Sequence, residues 1–116
     1  MIAEDYCSYE VAKLLEEKGF DEPCTGLNKL CLKDGEKPVL KVTHQKAMKW
    51  LREKYNIYIN IQPDFPSDKD YKMCWCCSAN ILHENCISMK GWYQCYIETY
   101  EQACEEALKF SLENLI

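Results

Sequence analysis

Side chains alternate strictly in character between positions 57 and 82. Ile57, Ile59 and Ile61 alternate with Tyr58, Asn60 and Gln62. Tyr71, Met73, Trp75, Cys77, Ala79 and Ile81 then alternate with Lys72, Cys74, Cys76, Ser78 and Asn80. Successive side chains of a β-strand point to opposite faces, so a period of two fits a half-buried strand and not a helix. Turn formers from Pro63 to Asp68 separate the two strands, and His83-Glu84-Asn85 supplies the next turn. Residues 86–97 return as a third strand with Gly91 at a bulge or bend. Strands joined by such short connections pair antiparallel. The alternation points Ile57, Ile59, Ile61, Met73, Trp75 and Cys77 at a helical layer. The opposite face then carries Tyr58, Cys74, Cys76, Trp92 and Tyr96.

The helical layer is legible on either side of these strands. Residues 8–18 place Val11, Leu14 and Leu15 on one stripe behind Ser8, a good N-cap. Gly19-Phe20 fits a Schellman stop, and Asp21-Glu22-Pro23 breaks any continuation. Residues 44–55 follow the N-cap Thr43 with the stripe Ala47, Met48, Leu51 and Tyr55, Trp50 at its flank and Asn56 as terminator. Thr99-Tyr100-Glu101-Gln102 fits a capping box and opens a last helix carrying Ala103, Ala107, Phe110, Leu112, Leu115 and Ile116. Between the first two helices, Asp34-Gly35 predicts a tight hairpin over 27–42, its second strand an edge or beginning after Pro38. The order α-β-β-α-β-β-β-α predicts an α+β, two-layer sandwich of an antiparallel sheet with three helices, in one domain over 1–116.

Composition narrows the function classes. With 116 residues and 47% apolar side chains the chain can bury a core without staples. The net charge of -5 disfavours phosphate backbones and anionic membranes. The one basic cluster is Lys46, Lys49, Arg52 and Lys54. No secretory leader or membrane-length apolar run is visible, which predicts a cytoplasmic protein. Nine cysteines cannot all pair within one chain, and a reducing compartment makes most of them small apolar core residues.

No phosphate-cradling glycine loop, nucleophile elbow or metalloprotease spacing occurs. Cys74 and Cys77 have the C-x2-C spacing of zinc ligands, and His83 and Cys86 complete a set if the segment is a knuckle. In a strand, however, Cys74 and Cys77 diverge. His44 and His83 are the only histidines, and nothing in the sequence around any cysteine marks it as activated. Aromatics grouped on the face opposite the core point to a contact surface of Tyr58, Trp92 and Tyr96, with Trp50 as an outlying candidate. Burial of that face under the hairpin is the competing expectation.

Three stretches carry a family resemblance: Glu4-Asp5-Tyr6 through Ala12-Lys13-Leu14-Leu15 to Phe20-Asp21-Glu22-Pro23-Cys24, Ala47-Met48-Lys49-Trp50-Leu51-Arg52-Glu53, and Thr99-Tyr100-Glu101-Gln102-Ala103-Cys104 to Leu112-Glu113-Asn114-Leu115-Ile116. In these the chain resembles a family of small proteins, without assigned activity, from gut Bacteroidales and their bacteriophages. The resemblance implies a cytoplasmic accessory protein, phage-borne and able to modulate a host factor. The cysteine cluster at 74–77 is not part of the shared pattern. Separately, the order α-β-β-β-α over 43–115 resembles a double-stranded-RNA-binding domain, though that family's basic motifs are absent. The leading expectation is a non-enzymatic protein-interaction module, binding a protein partner or a second copy, without a cofactor. A structural zinc domain on Cys74, Cys77, His83 and Cys86, and nucleic-acid binding through Lys46, Lys49 and Arg52, are the alternatives.

Overall fold

A computed structural model describes residues 6–20, 30–65, 73–83 and 86–116, and of residues 31, 83 and 86–91 the backbone alone. The Asp21–Pro23 break, the hairpin start at 27–29, the loop residues 66–68, Tyr71 and Lys72, and the turn at Glu84-Asn85 lie outside the described residues.

The local signals act as chemistry requires. Helix α1 spans Tyr9–Glu17, and Ser8 accepts the Val11 N–H at 3.3 Å. Its end is a Schellman motif. Gly19 takes φ +93° and donates to Glu16, while Phe20 donates to Leu15 and turns into the core. Helix α2 spans His44–Tyr55, with Thr43 accepting from Lys46 and Asn56 closing the helix at φ 57°. Helix α3 spans Tyr100–Phe110, with Thr99 accepting the Gln102 N–H at 3.1 Å. The last residues depart from the expected regular helix, since Ser111–Leu115 form a π-helical turn. Buried Ser111 donates its hydroxyl to the Ala107 carbonyl at 2.8 Å, a back-bond that competes with the regular ladder.

Strands β1 (Leu30–Cys31) and β2 (Val39–Leu40) pair antiparallel, but the connection is not the tight turn that Asp34-Gly35 suggests. Gly35 takes φ +77° and Asp34 does not share a positive φ, so the turn closes by Glu36 N–H on Lys33 C=O inside a longer loop. Strands β3 (Ile57–Asp64), β4 (Cys74–His83) and β5 (Cys86–Ile97) form an antiparallel sheet in that order. The fold is the small α+β arrangement α-β-β-α-β-β-β-α.

Helices α2 and α3 lie on one face of this sheet. The main core joins Val11 and Leu15 of α1, Trp50 and Leu51 of α2, Ile57 of β3, and Leu108 and Leu112. A second cluster lies beneath α3, where Ala103 and Ala107 approach Cys77 and Ile97 beside Ile59, Ile61, Trp75 and Trp92. Alanine at both helix positions leaves room for the two tryptophans. Trp75 meets Tyr100 edge-on at 5.4 Å, and Trp92 stacks on Phe110 at 4.7 Å. The small sheet packs on α1 through Val39, Tyr9 and Ala12, away from the open face.

Two placements differ from strict alternation. Trp92 opposes Ala79 and lies on the helix-facing side, not the open one. The reason is a β-bulge. Trp75 opposes Ile97 and Cys77 opposes Gln94, so two residues, Cys95 and Tyr96, face Cys76 alone. One extra residue reverses the parity of everything before it. Tyr96 carries the bend at φ 62°. Met73 sits just before β4 and is exposed instead of covered. Gly91 adjoins a second register shift, between Asn80 and Leu82, as its composition suggests.

Candidate functional site

Two polar groupings have chemistry that the core does not require. The first joins all three helices. Glu105 of α3 lies against the N-terminus of α1, accepting the Ser8 N–H at 2.8 Å on one oxygen and the Ser8 hydroxyl at 2.7 Å on the other. His44, the first residue of α2, holds the same carboxylate through Nε2 at 2.7 Å. The imidazole is 3% exposed, and its Nδ1 is buried with no hydrogen-bond partner among the described residues. Burial opposes charge on the ring. The neighbouring Cys104 thiol and Glu105 carboxylate outweigh that and raise the pKa to about 9. Burial likewise opposes charge on Glu105, but bonds from His44 and Ser8 bring its pKa below the ordinary carboxylate value. The carboxylate also sits where two helix N-termini present positive ends.

This grouping contains the residue types of a nucleophile–base–acid set, but it is not wired as a serine–histidine relay. Ser8 and His44 both face the carboxylate instead of each other. A ring with pKa near 9 is protonated at neutral pH and cannot take a proton from a nucleophile. Cys7 Sγ lies within 4.8 Å of the His44 and Glu105 ligand atoms. Both carboxylate oxygens are nevertheless committed to Ser8 and His44. The geometry makes Glu105 a staple between helices.

The second grouping lies on the open face of the sheet. Cys76 Sγ stands 2.9 Å from Cys95 Sγ and 3.7 Å from Asp64 Oδ2. Tyr93 Oη is 2.7 Å from Cys95 Sγ. Cys76 is buried, while Asp64 and Cys95 are half-buried. Burial first, and then the neighbouring Cys95, push the Cys76 thiol up to about 11. The Tyr93 phenol is also raised, chiefly through its hydrogen bond with Cys95 and then with Cys76. Cys77, on the other face of β4, is raised to about 11 by burial and then by the charge of Glu106. Thiols held this high are poor nucleophiles.

The sequence-derived candidates separate in space. Tyr58 is 40% exposed on the open face and Tyr96 is 66% exposed at the bulge. Trp50 is buried at 4%, wedged edge-on between Phe20 and Tyr55. Trp92 is half-buried under α3. Tyr93, 63% exposed opposite Ser78, occupies the open-face position that strict alternation assigns to Trp92. Cys74 and Cys77 project to opposite faces of β4, so that zinc set does not converge, and the side chains of His83 and Cys86 lie outside the described residues. Lys49 and Arg52 are exposed on α2 and Lys46 is half-buried, with Lys49 reaching Glu53 at 4.0 Å. The six described cysteines are free thiols, five of them buried.

Among the described residues no helix is long and apolar enough to cross a membrane. Comparison with protein-family models, curated proteins and solved structures finds no match for this chain.

Proposed function

We propose that the chain is a non-enzymatic protein-interaction module that presents the open face of its three-stranded sheet to a protein partner. One observation carries the reading. Helices cover one face, and the other keeps Tyr58 and Tyr93 exposed. Their surroundings resemble a recognition surface. Asn60, Gln62, Ser78 and Asn80 occupy the same face by register. Among the described positions of that face Asp64 alone is charged. Protein interfaces are depleted in charge and enriched in tyrosine at their centres, and Tyr with Ser and Asn makes adaptable contacts at low entropic cost. The partner surface that fits is neutral and mixed in polarity, not a phosphate backbone. The wiring of Ser8, His44 and Glu105 supports the non-enzymatic half of the reading.

Photo-crosslinking tests it. A benzophenone side chain at position 58 or 93 is expected to capture one partner species in the cells that make the chain. The same group at Lys13, exposed on α1, should not capture it. The double variant Y58A/Y93A should fold normally and lose the complex. Equal capture from all three positions, or an intact complex in the double variant, refutes the proposal.

A further inference from the structure

Asp64 ends β3, Cys76 lies two residues into β4, and Cys95 belongs to the bulge of β5. Three strands therefore each supply one donor atom, and these atoms all lie within 4.8 Å of one another. A bound zinc ion holds thiolate sulfur at about 2.3 Å and carboxylate oxygen at about 2.0–2.2 Å, so its ligands stand roughly 3.5–3.8 Å apart. The Cys76–Asp64 distance of 3.7 Å already satisfies that, and the 2.9 Å between the sulfurs requires only a small opening. We propose that Asp64, Cys76 and Cys95 bind a zinc ion on the open face of the sheet, with a fourth position left for water or a further ligand. This goes beyond the interaction reading and does not depend on it.

Two further features favour a metal. Cys95 reaches Cys76 only because the bulge places it there, and the bulge holds Tyr96, a non-glycine residue, at φ 62°. Backbone in this region costs energy and clusters where a side chain must be aimed. Next, the grouping brings two potential thiolates beside a carboxylate, and among the described residues no Lys or Arg forms an ion pair with Asp64. Binding is balanced as proton release. The two thiols give their protons to solvent, two Zn–S bonds form with the thiolates, and the Asp64 carboxylate adds a Zn–O bond. Two sulfurs and one oxygen in an open tetrahedral arrangement select zinc over calcium or magnesium.

The test is titration of the reduced full-length chain with cobalt(II), followed by displacement with zinc(II). A thiolate-to-cobalt charge-transfer band should grow to one equivalent and vanish on zinc addition. C95S, a change at a half-buried side chain, should abolish the band. D64N, which removes a direct ligand, should weaken binding by at least the about 10- to 100-fold that loss of an outer-shell partner costs, and Y58A should leave it unchanged. Circular dichroism verifies the fold of each variant, and C95S with D64N suffice if C76S fails to fold. Absence of the band in folded, reduced wild type overturns the proposal. So does a full band in C95S, or a chain that forms a Cys76–Cys95 disulfide in air and binds no cobalt after reduction.

Discussion

Replacing Glu105 with alanine tests whether the helix-joining carboxylate matters as its geometry says. The change removes acceptors for three hydrogen bonds, from Ser8 N–H, Ser8 Oγ and His44 Nε2, each at 2.7 or 2.8 Å. It also strands a protonated imidazole that is 3% exposed. Breaking a buried ion pair from one side costs about 3–5 kcal/mol. Glu105 itself is 26% exposed, so water can replace part of what is lost. The expected loss is therefore about 2–4 kcal/mol, and E105Q, which keeps an acceptor but not the charge, should fall between. Urea unfolding followed by circular dichroism measures it.

The pH dependence gives an independent check. The His44 pKa rises on folding from 6.5 to about 9. Its contribution is complete below about 6.5 and disappears as pH climbs through about 9. The Glu105 pKa falls on folding from 4.5. Its contribution is present above that value and disappears as pH drops below it. The wild type should thus gain most from the pair between about pH 4.5 and 6.5, and E105A should lose the acid limb and flatten the basic one, where Cys104 still raises His44. A loss under about 1 kcal/mol, or parallel wild-type and E105A curves between pH 6.5 and 9, refutes the reasoning.

Three further outcomes are expected from unfolding measurements. W92A should cost about 2–3 kcal/mol by removing the stack on Phe110, whereas Y93A on the open face should cost under about 0.5 kcal/mol. G19A should cost about 1 kcal/mol or more, because Gly19 holds φ +93° in the stop of α1. T99A should cost about 1 kcal/mol through the lost bond to Gln102 N–H, and T99S should restore most of it.

The helices and the first two strands of the large sheet were readable because their determinants are local. Ser8, Thr43 and Thr99 each cap the helix that follows, and the stripe of isoleucines in β3 needs only a period of two. The inner and outer sides of β5 needed more. Trp92 and Ile97 are both apolar and lie an odd number of residues apart, a conflict with uninterrupted alternation that only an inserted residue resolves. That conflict was visible in the sequence and points to the bulge. The partners of His44 were not visible, since Glu105 is 61 positions away and no spacing rule links the starts of two helices to the middle of a third. The cysteines mislead in the same way. The C-x2-C spacing of Cys74 and Cys77 suggests convergence that strand geometry forbids, while Cys76 and Cys95 meet across 19 residues.

The margins of the sheet have a consequence for how copies of this chain meet. On β3, Pro63 opposite Trp75 removes a backbone donor from one border. On β5, the bulge at Cys95 and Tyr96 interrupts the ladder along the other. A ribbon with both borders spoiled is a poor template for strand-by-strand growth, the route by which flat sheets stack into fibrils. Crowded molecules are thereby steered away from lateral zippering.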